Sequence, residues 1–250
     1  MTQVIKTEYQ IVTDKNVGNY KLVLITDTHY DTIQDTNVLK QKIAEINQES
    51  PDLVILGGDI VEEDTSKKAM EEVFQVLGGL ESTYGIYYVY GNHDRQPYTE
   101  HRSYTDQELE DAISGNGITI LADSYQEINE DLILAGREDA KWGNHSGRAS
   151  VEELLADVDR EKYIIVADHQ PIEAKENDAQ GVDLELSGHT HAGQIWPIGI
   201  ISELTGILNY GKYQQGNCQI IVSSGFTGWG YPVRTQEHCE YVVIHINKIA

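Results

Sequence analysis

Histidines and carboxylates recur along this chain in five short clusters. They are Asp27-Thr28-His29, Gly58-Asp59, Gly91-Asn92-His93-Asp94, Asp168-His169 and Gly188-His189-Thr190-His191. Carboxylate oxygens, an amide oxygen and imidazole nitrogens make a donor set that suits Mn, Fe or Zn better than Ca or Mg. No cysteine lies in the clusters to act as a soft ligand. In extended backbone, residues i and i+2 point to the same side. Asp27 with His29, and His189 with His191, are therefore same-side pairs. Two cations held side by side acidify a shared water, grip phosphate oxygens and align a nucleophile with its leaving group, which is the chemistry of hydrolysis at phosphorus. Single clusters carry little weight. Asp59 alone reads as a loop cap, and His169 alone as a hydrogen-bonded core histidine. Gly-Asn-His-Asp and Gly-His-x-His, each behind a strand, say more, and the ordered set of five says most.

Each cluster follows an apolar run of strand length: Leu22–Ile25, Leu53–Leu56, Ile86–Tyr90, Tyr163–Ala167 and Leu184–Leu186. Helical spacing separates the first three, over Val38–Ile46 and Ala69–Leu77. The pattern β-α-β-α-β predicts parallel strands with right-handed crossovers, and such sheets present reactive groups at the carboxyl ends of their strands. Further on, Thr105–Ile113 and Val151–Ala156 read as helices. Ile118–Leu121, Tyr125–Ile128, Leu132–Ala135, Gln219–Val222 and Glu240–Ile246 read as strands. No repeat and no Pro/Gly/Ser-rich linker divides the chain. The expectation is one domain over residues 1–250 with a core of about 20–247. Its fold class is α/β (α+β), with two mixed β-sheets packed as a sandwich and flanked by helices.

Composition narrows the partners. A formal net charge of −23 over 250 residues argues against nucleic acid, whose phosphates require Lys and Arg. No apolar run approaches a membrane span. Met1–Tyr20 is polar and lacks the pattern of a signal peptide, so the expected location is cytoplasmic. Cys218 and Cys239 are too few for a disulfide framework and read as small buried apolar residues. Tyr84, Tyr87, Tyr88 and Tyr90 read as half-buried strand residues. The run Ile195–Leu208 is unusually apolar for a segment beside a polar site. It fits a core helix, and it also fits a lip that docks an acyl chain or makes peripheral contact with a membrane.

The ordered clusters, from Lys21 to Ile246, resemble the calcineurin-like metallophosphoesterase superfamily. Ser187–Pro197 and Val222–Arg234 are similar to its YkuE-type branch. The resemblance implies a two-sheet sandwich and two divalent metal ions. It implies Asp27, His29, Asp59 and His191 around one ion, and Asp59, Asn92, His169 and His189 around the other, with Asp59 shared. All eight ligand positions are filled. His93 would face the substrate without binding metal and protonate the leaving group, and Asp94 would hold the His93 ring. Arg95 and Arg137 are candidates to grip a phosphate oxygen, with ion pairing to a carboxylate as the plainer reading for each. Arg148 and Arg234 are weaker candidates. Asp168 is either a partner for a ligand histidine or a residue facing away. Thr28 stands where relatives often carry a larger apolar residue, which concerns packing. The function implied is a phosphoesterase acting on a phosphomonoester, phosphodiester or pyrophosphate in a phosphorylated small molecule or lipid, since branch relatives are linked to envelope or lipid substrates. The alternative is a non-catalytic metal-binding scaffold of the same fold. A nuclease is disfavoured by the charge.

Overall fold

A computed structural model describes residues 3–32, 36–141 and 147–249. Two six-stranded mixed sheets pack face to face. The first contains β1 (Val4–Thr13), β2 (Tyr20–Ile25), β3 (Leu53–Leu56), β4 (Ile86–Tyr88), β5 (Ile118–Ile120) and β12 (Cys239–Lys248), in the order β1-β12-β2-β3-β4-β5. The second contains β6 (Ser124–Glu127), β7 (Leu132–Gly136), β8 (Tyr163–Ala167), β9 (Leu184–Ser187), β10 (Gly211–Gln215) and β11 (Cys218–Val222), in the order β10-β11-β9-β8-β7-β6. β2, β3, β4 and β5 run parallel, as do β7, β8, β9 and β11. The chain therefore leaves β2, β3 and β4 at one edge of the first sheet, and β8 and β9 at one edge of the second.

Side-chain alternation sorts each central strand onto two faces. Leu22, Leu24, Leu53 and Ile55 point inward and meet Leu134, Ile165 and Leu184 of the opposing sheet. Their neighbours Val23, Ile25, Val54 and Leu56 point outward onto α1 (Thr36–Glu49), α2 (Lys67–Leu77) and α3 (Asp106–Gly115). On the far side, Ile133, Ile164, Val166 and Ile220 pack beneath α4 (Val151–Leu154) and α5 (Ala174–Ala179). Burial on both faces is what turns these strands into unbroken apolar runs. Capping boxes, Thr105 with Glu108 and Ser150 with Glu153, begin α3 and α4 where the sequence turns helical.

Three differences from expectation share one cause, a lack of two-sided burial. β1 pairs in parallel with β12 along its whole length, so the first sheet begins at Val4 rather than near residue 20. It is an edge strand burying only Val4 and Ile11, and its sequence is correspondingly polar. β10 is an edge strand with no buried residue, and α5 buries only Asn177. The apolar run Ile195–Leu208 contains α6 (Ile198–Leu204), which is no core helix. Its only buried residue is Gly199. Among the described residues no helix is long and apolar enough to cross a membrane.

Candidate dinuclear metal site

The loops after β2, β3, β4, β8 and β9 converge. Backbone bonds clamp the first two together: Asp27 N–H donates to Gly58 O (2.9 Å), His29 N–H to Asp59 O (3.1 Å) and Tyr30 N–H to Ile60 O (3.0 Å). Gly58 is required twice over. Its φ is +88°, and a Cβ there would lie 2.5 Å from Gly91 N. Asp27, His29, Asp59, His189 and His191 all have positive φ, at 54°, 37°, 51°, 73° and 49°. Left-handed backbone at non-glycine residues costs roughly 1–2 kcal/mol each and tends to cluster where function requires it. Here it falls on five of the seven candidate ligands.

Those ligands form two groups. Asp27, His29 and His191 present donor atoms within 4.8 Å of one another, and so do Asp59, His169 and His189. In the first, His29 Nε2 lies 3.3 Å from His191 Nε2, and His191 Nε2 lies 3.4 Å from Asp27 Oδ1. In the second, His169 Nε2 lies 3.1 Å from Asp59 Oδ2. Asp59 joins the two: the same Oδ2 is 3.9 Å from His29 Nε2, while Oδ1 accepts the His93 N–H at 2.9 Å. Asn92 precedes His93, and its Nδ2 donates to Tyr98 Oη at 3.2 Å.

The chemistry of the donors fits a pair of divalent cations. Asn92 Oδ1 and His169 Nε2 are buried with no hydrogen-bond partner. Such groups are rare in native proteins and call for an explanation such as an ion. The far sides of the rings are tied. His169 Nδ1 donates to Gly57 O (2.8 Å), and His191 Nδ1 to Thr227 O (3.3 Å). A carbonyl only accepts, so Nδ1 carries a hydrogen and Nε2 is the nitrogen turned toward the other ligands. His29 Nδ1 is paired with Glu62 Oε2 at 3.0 Å. Burial, helped by the neighbouring histidine His169, pushes His189 down to about 4, and burial does the same to His191. Both rings are therefore neutral and able to ligate at pH 7. His169 behaves oppositely: burial lowers it, but the adjacent Asp59 carboxylate wins and holds it well above the ordinary histidine value. An incoming cation has to displace that proton.

His93 departs from expectation in its partner. Its Nδ1 lies 2.6 Å from Glu63 Oε2. Asp94 turns away, and its buried carboxylate accepts the backbone N–H groups of Asp59 (2.9 Å), Ile60 (2.8 Å), Val61 (3.1 Å) and Gly91 (2.6 Å). The loops after β3 and β4 turn these donors toward position 94, where a carboxylate is placed to collect them. Asp94 thus shapes the ligand loop, and Glu63 takes the role expected of it at His93. Burial, then the Asp59 charge, pushes Asp94 up to about 6. Burial lowers His93, but the Glu63 hydrogen bond and the Asp59 charge outweigh it, so its pKa is raised.

The arginines expected on substrate are engaged elsewhere. Arg95 forms a two-point bond with Glu138 (2.7 and 3.0 Å) and lies 3.5 Å from the centre of the Tyr90 ring. Arg137, only 1% exposed, is held by Asp123, Glu173 and the Ala149 carbonyl. Arg148 pairs with Asp168 and Glu173, so Asp168 does not orient His169. Arg234 donates to the carbonyls of His191, Ser224 and Thr227, each at 2.9 Å, and braces the loop that carries His191.

Two cavities open over the ligands and share His93 and Trp229. One, of about 640 Å³, is walled by Glu62, Glu63, Asp64 and Tyr98. The other, of about 440 Å³, has Asp59, His189 and His191 on its polar side and Ile195, Ile198 and Tyr231 on its apolar side. Glu62 and Glu63 carry no signal in the sequence, and Trp229 and Tyr231 lie in the branch-like run Val222–Arg234 with no role attached to them there. The two acids are hard to single out among 41, and the aromatics reach the site only through the fold.

Residues 20–193 match the family model described as calcineurin-like phosphoesterase. An uncharacterized metallophosphoesterase of Helicobacter pylori (strain J99) is 32% identical, over 91% of this chain and 60% of its own length. The uncharacterized metallophosphoesterase YkuE of Bacillus subtilis is 29% identical, over 86% of this chain and 74% of its own length. Among solved structures, a dimetal phosphatase from Danio rerio shares the fold with a TM-score of 0.52 at 13% identity, covering 84% of this chain and 89% of that one. Two packed mixed sheets, with the ligand loops gathered at their edge, define a metallophosphoesterase fold. The chain belongs to the calcineurin-like phosphoesterase family. It spans about 60% of the length of the Helicobacter relative.

Proposed function

We propose that this chain hydrolyses a phosphoester with the help of two divalent cations, of which Mn, Fe and Zn suit the donors best. The single observation that carries the reading is the pair of ligand groups joined through Asp59. Asp27, His29 and His191 would hold one cation, His169, His189 and Asn92 the other, and Asp59 would be shared between them. When bound, the cations supply Lewis acidity toward the phosphoryl oxygens and a water acidified enough to attack. Hydrolysis forms a bond from water oxygen to phosphorus and breaks the bond from phosphorus to the leaving oxygen. His93 stands at the junction of the two cavities, and its ring donates the proton that the leaving oxygen takes up. Glu63 holds that ring and favours its protonated form.

The substrate is a phosphomonoester or a phosphodiester or pyrophosphate, and we read it as lipid-linked. With Arg95 and Arg137 engaged in ion pairs and Glu62, Glu63 and Asp64 on one wall, a highly anionic substrate such as a nucleotide is repelled. The wall of Ile195, Ile198 and Tyr231 suits the apolar part of an amphipathic phosphoester. The test is turnover of p-nitrophenyl phosphate, bis(p-nitrophenyl) phosphate, nucleotide pyrophosphates and glycerophospholipids, each with Mn, Zn, Fe and Mg. We expect hydrolysis that depends on metal and falls about 10²–10⁴-fold in His93→Ala, with metal content unchanged. Absence of turnover with every metal, in protein shown to hold two ions, would overturn the reading.

A further inference from the structure

The apolar run that contains α6 faces outward. Trp196 is 66% exposed, Ile201 55% and Leu204 82%. Ile198, Ile201 and Leu204 are spaced three apart and share one face of the helix. A second segment, Gly228–Val233, adds Trp229, Tyr231 and Val233, also exposed. The two segments, 195–208 and 228–233, hold ten of the fifteen exposed large hydrophobic side chains among the described residues. Scattered apolar residues on a surface need no explanation, but a contiguous patch does.

One side chain binds the segments into a single surface. Gln194 Nε2 donates to the carbonyls of Trp229 (3.0 Å), Tyr231 (3.2 Å) and Val233 (3.0 Å). Its Oε1 accepts the Trp229 N–H at 2.7 Å, and its own carbonyl accepts the N–H groups of Thr235 and Gln236. The face is therefore built, and it borders the cleft, since Ile195, Ile198, Trp229 and Tyr231 also line the cavity over His189 and His191.

Charge identifies the occupant. The two segments contain one charged residue, Glu203, in a chain whose net charge is −23. A second copy would bring another −23 against the first, and seated on this face it would cap the mouth of the cleft. An anionic membrane is repelled for the same reason, and no Lys or Arg in either segment offsets that. An uncharged surface with an apolar interior meets no such penalty, and Trp and Tyr beside aliphatic side chains suit the boundary between head groups and acyl chains.

We propose that this face seats the chain on a zwitterionic lipid bilayer, with the cleft mouth turned toward the head groups. The docking stands on exposure and charge, and its use in delivering a phosphoester rests on the hydrolase reading above. The experiment is flotation with phosphatidylcholine vesicles, run beside metal-dependent turnover of bis(p-nitrophenyl) phosphate in solution. The wild-type chain floats, at low and high salt alike, and more weakly with phosphatidylglycerol. Ile201→Gln/Leu204→Gln, and independently Trp196→Ser, reduce the floated fraction about tenfold or more, since each removes apolar surface that the bilayer buries. Neither variant changes soluble turnover, which also shows that both fold. No flotation of the wild type, unchanged flotation of both variants, or flotation confined to anionic vesicles overturns the proposal. So does a dimer in light scattering that the double variant abolishes, which would assign the face to a second copy. Flotation without turnover sinks the hydrolase reading alone, and turnover without flotation sinks the docking alone.

Discussion

At the scale of single residues, the ligands were legible because they follow strands at fixed short spacings. Asp27 and His29, or His189 and His191, need only local sequence to be paired. What lay beyond reach was the direction of a carboxylate. Asp94 is next to His93 in sequence, yet it bonds backbone across the loop after β3, while Glu63 reaches His93 from thirty residues away. The two acids therefore differ in their mutants. Glu63→Gln removes a charge that raises the His93 pKa. Its folded value drops, so the alkaline limb of the kcat–pH profile moves to lower pH while metal content holds. Asp94→Asn replaces one of two accepting oxygens with an NH₂ that faces N–H donors. We expect a loss of about 2–4 kcal/mol in stability, visible as a lower Tm, with the alkaline limb unmoved. A shifted limb in Asp94→Asn and not in Glu63→Gln would reverse the assignment.

At the scale of elements, two-sided burial decides what a sequence shows. β2, β3, β8 and β9 announce themselves as apolar runs because helices cover one face and the other sheet covers the second. β1 and β10 lie at sheet edges, α5 buries only Asn177, and their polar sequences carry no comparable signal. The apolar run before β10 misleads in the opposite sense. Composition alone suits a core helix as well as an exposed one, and α6 is exposed because no element among the described residues covers it. Arg137 illustrates the same point for charge, since its ion pairs link loops that the fold alone brings together. Arg137→Met should cost stability, by about 3–5 kcal/mol as for a broken buried ion pair, and leave KM unchanged. A raised KM with unchanged Tm would return Arg137 to the substrate.

At the scale of the whole molecule, the two sheets and the charge act together. Five left-handed ligand residues and two buried carboxylates, Asp27 and Asp59, are held at one edge of the sandwich. Cations bound there stabilise the folded chain by mass action, by about 2.7 kcal/mol at a hundredfold excess over Kd. Chelation should lower Tm accordingly. His169 is protonated in the absence of a cation because Asp59 raises its pKa, so binding releases a proton and metal affinity rises with pH. Titration calorimetry in buffers of different ionisation enthalpy measures that release, and a pH-independent affinity would contradict it. The most direct measurement of all is anomalous diffraction from crystals loaded with Mn. The account predicts two peaks per chain about 3.5–4 Å apart, on either side of Asp59, with one lost in His29→Ala. A single peak, or peaks remote from Asp59, would contradict it.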